Sequence, residues 1–118
     1  MALRFDNVSI LSVAHVDAPH ELTSEEIERR LAPTLERLEI QPDLLRAASG
    51  IMSRRFWSDG DQPSDVATRA AEVALERSGV DRGRLGLLVN TSVCRDYLEP
   101  STACLVHGNL RLPAQCMN

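Results

Sequence analysis

The sequence predicts an α/β fold in which strands and helices alternate and the helices cover a layered sheet. Apolar residues alternate with small ones over residues 8–16, which predicts a mostly buried strand. The continuous apolar run at residues 85–89 predicts another strand that is covered on both faces, as in parallel sheets. Ligands of such sheets bind beyond the carboxyl ends of the strands, so residues 90–99 are where chemistry is expected.

The first helical pattern follows a capping box made by Thr23 and Glu26, whose side chains are expected to satisfy free backbone donors. Pro33 lies inside this pattern and is expected to kink the helix or split it. The apolar stripe of this helix consists of Ile27, Leu31, Leu35 and Leu38. The next predicted elements are a short helix at 42–48 closed by Gly50, a short strand or extended segment at 51–57 and a loop at 58–64.

Two further helices are predicted in the second half of the chain. The clearer one covers residues 65–78 and has Gly79 in place as its C-cap. Its alanine-rich face is expected to let it approach a sheet closely. The other begins at Pro100, a residue suited to the first helical position, and runs to about Leu110.

The composition excludes several classes of function. Of 118 residues, 43% are apolar and 25% are charged, which is typical of a soluble globular protein. All 13 basic residues are arginine, and the absence of lysine excludes Schiff-base chemistry, pyridoxal phosphate enzymes and Walker-A phosphate loops. The 17 acidic residues give a net charge of −4 without any basic block, which argues against a nucleic-acid surface.

The location of the protein is expected to be cytoplasmic. No apolar run approaches the roughly 18 residues of a membrane span, and residues 1–6 show no signal-peptide pattern. The three cysteines, Cys94, Cys104 and Cys116, are odd in number and lack the spacing of a disulfide framework. Reduced thiols are therefore predicted.

Two clusters have the residue types of a reactive site. His15, Asp17 and His20 could supply ligands for zinc or non-haem iron, but their spacing matches no metal motif. A structural or solvated role is favoured, and no metal site is predicted. Cys104 and His107 share one face of the last predicted helix. A nucleophile–base pair would also need an orienting group and an oxyanion hole, so a packed cysteine is favoured here.

Three charged residues are better candidates for binding and catalysis. Arg54 and Arg55 have the guanidinium geometry that grips the phosphate of a ligand such as a coenzyme, although paired arginines are also common on surfaces. Glu99 follows the strongest predicted strand. Its position alone favours a solvated carboxylate, and the residues around it are what give it interest.

Several motifs occur in one order along nearly the whole chain. They are HVDAPH at 15–20, LTSEEIERR at 22–30, Gly50 with Arg54, Arg55 and Trp57, SDVATRAA at 64–71, and NTSVCRDYLEPSTA at 90–103. In these motifs the sequence resembles the thiolase superfamily, specifically the OleA-type acyl-CoA condensing enzymes of olefin and β-lactone biosynthesis. Those enzymes are relatives of 3-oxoacyl-acyl-carrier-protein synthase III.

The resemblance implies a thiolase-like fold of which residues 1–118 form an incomplete N-terminal half, a βαβαβ-type layered sheet with helices. It implies a homodimer that condenses two long-chain acyl-CoA molecules to a β-keto acid without decarboxylation. The glutamate of the family's YLEP motif, which matches Glu99, is the base that removes an α-proton, and it serves the partner's active site. A dry, apolar acyl channel would raise the basicity of such a carboxylate.

The sequence departs from the family pattern at several positions. The strand with the nucleophilic cysteine and the C-terminal half with its histidine and asparagine are absent from these residues. Cys94 and Cys104 fall where relatives often have serine, which favours small-residue packing, and Cys116 is expected to be structural. Arg111 stands where the family usually has glycine, so it is expected to disturb the turn after the last helix.

These departures leave alternative functions open. The segment alone is expected to be inactive and to aggregate or associate with a partner chain. It could instead be a small non-catalytic subunit, or an interaction remnant, that completes a partner thiolase-like chain. Fatty-acid synthesis of the synthase III type is a further alternative. The donor could be acyl-CoA or an acyl-carrier protein, and no cofactor is implied, since acyl-CoA is a substrate.

Overall fold

Four helices and two short strands make up the secondary structure of residues 6–118, the part of the chain that the computed structural model describes. The expectation for the N-terminus at residues 1–5 lies outside the described residues. The elements are β1 (His20–Thr23), α1 (Ser24–Arg37), α2 (Leu44–Ser49), β2 (Ser53–Phe56), α3 (Pro63–Ser78), a 3₁₀ turn (Arg82–Arg84) and α4 (Thr102–Asn109).

These elements form two compact units. The hairpin unit is Asp17–Gly60 and holds β1, α1, α2 and β2. The helical unit consists of Asp61–Asn118 together with residues 6–16 and holds α3 and α4. Among the residues that the structure covers, no helix has the length and apolarity needed to cross a membrane.

The hairpin unit is built on an antiparallel pairing of β1 with β2. His20 lies opposite Phe56, and Thr23 lies opposite Ser53. The predicted short strand at 51–57 is therefore confirmed, as is the short helix that ends at Gly50, whose left-handed backbone (φ 68°) closes α2.

Helix α1 begins at the predicted cap, but only half of the capping box forms. The Thr23 hydroxyl accepts a hydrogen bond from the Glu26 amide at 3.0 Å. The Glu26 carboxylate instead accepts from the guanidinium groups of Arg29 and Arg30. Of the two effects expected at Pro33, a kink or a split, the split does not occur, because α1 continues through this residue to Arg37. Pro33 is exposed, so water can satisfy the carbonyl that loses its helical donor.

The core of the helical unit lies between α3 and the end of the chain. Its buried members are Val106, Leu110, Leu112 and Cys116. Ala67, Ala71 and Leu75 of α3 pack against them. The helix predicted at 65–78 and its Gly79 cap are confirmed, although α3 begins earlier, at Pro63, inside the predicted loop. The alanine face, however, packs against the α4 region rather than against a sheet, since small side chains allow close approach to a helix as well.

The two strands predicted at residues 8–16 and 85–89 are wrong as regular elements. Residues 8–16 pair with no strand among residues 6–118, and the side chain of Ile10 is 85% exposed. Exposed and half-buried residues do alternate from residue 11 to residue 16. The half-buried Ser12 donates a hydrogen bond to the Ala74 carbonyl at 2.7 Å. Within 85–89, a single parallel bridge joins Leu87 to Met117, and Leu87 is exposed rather than covered on both faces. A β-strand requires backbone hydrogen bonds to a neighbouring strand, and an apolar sequence pattern does not provide that neighbour.

Helix α4 starts later than predicted and ends in a regular turn. Ser101 rather than Pro100 precedes its first residue as the N-cap. At its end, the Leu112 amide donates to the His107 carbonyl at 3.1 Å, and Arg111 adopts a left-handed backbone with φ 52°. This is the Schellman pattern, which glycine normally serves. The expected disturbance is therefore confined to the backbone of Arg111, and the hydrogen bonds of the turn are kept.

Candidate functional site

Glu99 lies in the loop that leads into α4, on the wall of an open cleft of about 510 Å³. Arg95, Leu98 and Thr102 contribute to the same cleft. The peptide bond from Glu99 to Pro100 is cis. This loop directly follows the apolar run at 85–89, so the region that the sequence analysis singled out is where the structure places a cleft.

The loop that carries Glu99 is attached on both sides to helix ends. On its N-terminal side, the Asp96 carboxylate accepts a hydrogen bond from the Ser64 amide in the first turn of α3 at 3.1 Å. On its C-terminal side, the Ser101 hydroxyl accepts from the Cys104 amide at 3.3 Å and caps α4. Because α3 and α4 pack on one another, Glu99 is held between two elements of one unit.

The carboxylate of Glu99 is unpaired in the described residues. In residues 6–118 it makes no hydrogen bond or ion pair, and neither does the guanidinium of Arg95 in the same cleft. Glu99 is also exposed, so these residues do not provide the dry environment that the family resemblance implies. Any desolvation of this carboxylate requires cover from a surface outside the described residues.

Large apolar side chains on the same loop as Glu99 are exposed to solvent. Leu98 is 79% exposed, and Val93 and Tyr97 are exposed as well. Large apolar side chains in solvent mark surfaces that bind a partner or an apolar ligand. The Glu99 loop therefore presents an acidic side chain and exposed apolar side chains together.

The two predicted ligand-binding arginines lie on β2, in the hairpin unit, whereas Glu99 belongs to the helical unit. Arg55 donates to the Ala18 carbonyl at 3.0 Å and pairs with Glu21 at 3.4 Å. Arg54 donates to hydroxyl groups instead, to the Oγ of Ser24 at 2.8 Å. Its charge is not balanced by a carboxylate in the described part of the chain, so Arg54 is the better prepared of the two to receive a phosphate.

The cysteines divide into one buried and two exposed side chains. Cys116 is buried in the core, which confirms its structural role. The expected packing of Cys94 and Cys104 is wrong, because both are exposed. Helix α4 turns Cys104 outward, where its Sγ lies 3.3 Å from the Oγ of Ser101, and no hydrogen bond joins it to His107 in the described residues.

The candidate metal cluster of His15, Asp17 and His20 forms no metal-binding group in the described residues. The ring of His20 hydrogen-bonds the hydroxyl of Ser58 at 2.9 Å. Residues 6–118 contain no group of three or more histidine, cysteine or acidic side chains arranged to hold a metal ion. His15 and Asp17 each have interactions of their own.

The sequence analysis missed Asp96. Its signal in the sequence is Gln62, which precedes Pro63 and is not among the residue types preferred at an N-cap. In the structure Gln62 is the N-cap residue of α3, and its side chain makes no capping hydrogen bond. A helix whose own cap is missing needs an acceptor from elsewhere for its first free amides. Asp96 supplies that acceptor in space, 32 residues further along the chain.

Comparison with known proteins gives a consistent set of relatives, although no family model matches the chain. The acyl-CoA:acyl-CoA alkyltransferase of Xanthomonas campestris is 54% identical over 113 residues, which is 96% of this chain and 33% of that protein. The enzyme of the same description from Shewanella oneidensis is 42% identical over 92% of this chain and 31% of its own length. The β-ketoacyl-acyl-carrier-protein synthase III of Clostridium beijerinckii is 39% identical over 64% of this chain and 23% of its own.

Solved structures agree with the sequence relatives. Xanthomonas campestris OleA with bound cerulenin superposes with a TM-score of 0.83 at 54% identity, over 96% of this chain and 33% of that chain. Variants of that enzyme with a glutamate changed to aspartate or a histidine changed to alanine each superpose with a TM-score of 0.82. The chain thus spans about a third of the length of the relatives it matches. These likenesses confirm the predicted fold class.

Proposed function

Because this chain belongs to the thiolase superfamily and corresponds to the N-terminal portion of OleA-type acyl-CoA condensing enzymes, we propose that it serves the condensation of two long-chain acyl-CoA molecules. The observation that carries the proposal is 54% identity to such an enzyme over 96% of this chain. The synthase III relative matches a shorter stretch at lower identity, so acyl-CoA condensation is favoured over fatty-acid chain initiation.

The proposed reaction has two steps, and this segment acts in the second. A cysteine contributed by residues outside these 118 takes an acyl group from the first acyl-CoA and releases coenzyme A. Glu99 then removes a proton from the α-carbon of the second acyl-CoA, and the carbanion attacks the cysteine thioester. The carbon–sulfur bond breaks, the thiolate leaves, and a β-ketoacyl-CoA forms. Addition of water to its thioester gives the β-keto acid and coenzyme A.

Glu99 suits the role of base because it is uncommitted. An α-proton next to a thioester is only weakly acidic, so the base must be free of competing partners and poor in water. The carboxylate has no ion pair in the described chain, and apolar side chains lie on its loop. We propose that a second thiolase-like chain covers this loop, so that Glu99 works in the partner's acyl channel of a homodimer.

The arginines of β2 are proposed to bind the donor. The negatively charged phosphates of coenzyme A would pair with the guanidinium of Arg54, which has no carboxylate partner in the described residues. Arg55 would add a second contact once its ion pair with Glu21 opens. The phosphopantetheine arm of an acyl-carrier protein presents a phosphate as well. No cofactor takes part in this proposal, and the reaction is placed in the cytoplasm, which cell fractionation would test.

The decisive experiment replaces Glu99 in the protein produced from its own gene, together with any chain that copurifies. Glu99→Gln keeps the size of the side chain and removes the base, so condensation is expected to fall by about 100-fold or more. Transfer of the first acyl group to cysteine, seen as an increase in intact mass, is expected to persist. Exchange of the α-proton of acyl-CoA with deuterated water is expected to be lost.

The matched control is Glu76→Gln. Glu76 is an exposed glutamate of α3 in the same unit whose carboxylate has no partner in residues 6–118, so its loss tests for a general effect of charge. Equal condensation rates for Glu99→Gln and the parent protein would overturn the proposed role of Glu99. Absence of any condensation by the parent protein would overturn the proposed function.

A further inference from the structure

The start of α3 has one backbone donor that the helix itself cannot satisfy. Pro63 is the first residue of α3 and has no amide hydrogen. The amides of Asp65 and Val66 donate to the Gln62 carbonyl at 3.0 and 3.2 Å. The Ser64 amide is left without an acceptor in the helix. Ser64 is only 6% exposed, so water cannot easily accept this hydrogen bond. Its amide therefore needs an acceptor from another part of the chain.

Asp96 is that acceptor, and its carboxylate is committed to this position. Its Oδ1 accepts from the Ser64 amide at 3.1 Å, at the end of the helix that favours negative charge. Its Oδ2 is buried and accepts no hydrogen bond from the described residues. A carboxylate on an unconstrained loop would expose both oxygens to water, so the burial of Oδ2 shows that the loop is drawn against α3.

This attachment lies close to Glu99 in sequence and fixes one side of its loop. Asp96 precedes Glu99 by three residues, and the Ser101 cap of α4 follows it by two. Between the two attachments, Tyr97 and Leu98 are exposed and contribute nothing to the buried core. The position of Glu99 therefore depends on the two capping hydrogen bonds more than on side-chain packing.

We propose that Asp96 is a positioning residue for Glu99, which it places by capping α3 and so fixing the loop relative to α3 and α4. The inference rests on the proposed function, because it holds that the capping hydrogen bond serves to position Glu99 as the base. Asp96 does not touch the reacting atoms. A small displacement of a base from its proton is enough to slow a reaction strongly, so a second attachment point has catalytic value.

The test compares Asp96→Ala and Asp96→Asn with the parent protein, by hydrogen–deuterium exchange and by kinetics. In Asp96→Ala, exchange is expected to accelerate in the peptides that contain Ser64 and residues 96–100. The kcat for condensation is expected to fall by about tenfold, with KM for acyl-CoA changed by less than about twofold. Asp96→Asn keeps an oxygen acceptor for Ser64, so it is expected to restore most of the protection and most of kcat.

Asp81→Ala is the matched control. Asp81 also caps a helical turn, since its carboxylate accepts from the Gly83 amide at 2.8 Å, but that turn is Arg82–Arg84, and neither α3 nor α4 depends on this bond for its N-terminus. This variant is expected to leave exchange at 96–100 and kcat unchanged. An equal fall in kcat for Asp81→Ala and Asp96→Ala would reduce the effect to general destabilisation and overturn the proposal.

The exchange measurement separates this inference from the proposed function. Unchanged exchange at Ser64 and 96–100 in Asp96→Ala would overturn the positioning role, whatever the activity. Faster exchange with an unchanged kcat would overturn it as well. Loss of condensation in Glu99→Gln together with normal kcat in Asp96→Ala would leave the proposed function intact and reject only the role of Asp96.

Discussion

Arg54 differs in its hydrogen-bond partners from four other arginines of the hairpin unit. Arg29, Arg30, Arg46 and Arg55 all pair with carboxylates. Arg54 instead donates to the hydroxyl of Ser24, which is buried and in turn donates to the Ile51 carbonyl at 2.5 Å. This chain of hydrogen bonds fixes the guanidinium without neutralising it, which is the state required of a phosphate-binding group.

The effect of substituting Arg54 on KM is expected to depend on whether the substrate carries phosphate groups. For Arg54→Ala we expect KM for acyl-CoA to rise by about tenfold, the value of one charge-assisted contact. KM for an acyl-pantetheine without phosphates should change little, because that substrate never uses the contact. Steady-state kinetics on both substrates checks this, and equal increases in the two KM values would assign Arg54 a purely structural role.

Arg111 and Gly79 occupy equivalent backbone conformations at the ends of α4 and α3. Their φ angles are 52° and 65°, in the left-handed region that side chains with a Cβ disfavour. Arg111→Gly is expected to raise the free energy of unfolding by about 1 kcal/mol, and Gly79→Ala to lower it by about 1 kcal/mol. A Cβ at Gly79 would meet no atom within 4 Å, so the cost there is one of backbone strain.

Urea denaturation of the two variants measures these changes directly. Opposite shifts of the midpoint are expected for Arg111→Gly and Gly79→Ala, at an unchanged slope. A lower midpoint for Arg111→Gly would mean that the arginine side chain contributes more than its backbone costs.

At the scale of elements, α1 depends on a charged cluster that responds to pH. Hydrogen bonds from Arg29, and next from Arg30, lower the pKa of Glu26 below its ordinary value of 4.5. The folded-state pKa therefore lies below the unfolded one. The stabilisation is present above pH 4.5 and is lost as the pH falls through the lower, folded-state pKa.

Glu26→Gln tests this contribution. The variant is expected to be less stable than the parent at neutral pH, and the difference should disappear as the pH falls below the folded-state pKa of Glu26. Thermal unfolding followed by circular dichroism between pH 7 and pH 3 provides the measurement. A difference in Tm that stays constant over this range would contradict the linkage.

Helix α2 shows how an element can depend on another for its ends. Its N-cap residue, Asp43, makes no side-chain capping bond. The Glu28 carboxylate of α1 accepts from the amides of Asp43 and Leu45 at 2.7 and 2.6 Å instead. The same arrangement occurs in the helical unit, where Asp96 caps α3. In both cases a short helix or a weak N-cap is completed by an acidic side chain that is distant in sequence.

At the scale of the molecule, the exposed apolar surface is the main feature. Large apolar side chains are exposed in the segment at 8–13, around residues 87–89 and on the Glu99 loop. The residues in the first of these stretches are Val8, Ile10, Leu11 and Val13. Such surface is costly in water and favours association with another chain. It is consistent with residues that are covered in a larger assembly.

The 118-residue chain on its own is expected to self-associate. Light scattering and analytical ultracentrifugation should detect species heavier than the 13.0 kDa monomer. Replacing Val8, Ile10 and Val13 by threonine keeps their β-branched or extended preference and lowers apolar area, so it should reduce association. A monodisperse parent monomer with a cooperative melt would contradict this expectation.

The local signals of the sequence predicted the helices well because their causes are local. Thr23, Gly50 and Gly79 each bond to the backbone of a neighbouring turn, and the structure keeps all three caps. The strands at 8–16 and 85–89 failed for the opposite reason. A strand exists only where a second segment pairs with it, and the described residues provide one bridge, from Leu87 to Met117.

The sequence by itself determined the family, the helix caps at Thr23, Gly50 and Gly79, and the identity of the candidate base. These depend on motif order and on contacts within a few residues of each other. Within residues 6–118, the tertiary structure alone decided that Glu99 is unpaired, that Arg54 rather than Arg55 keeps an uncompensated charge, and that Asp96 caps α3. Each of these depends on which distant groups come within hydrogen-bond distance, and that is set by packing between elements rather than by the residues themselves.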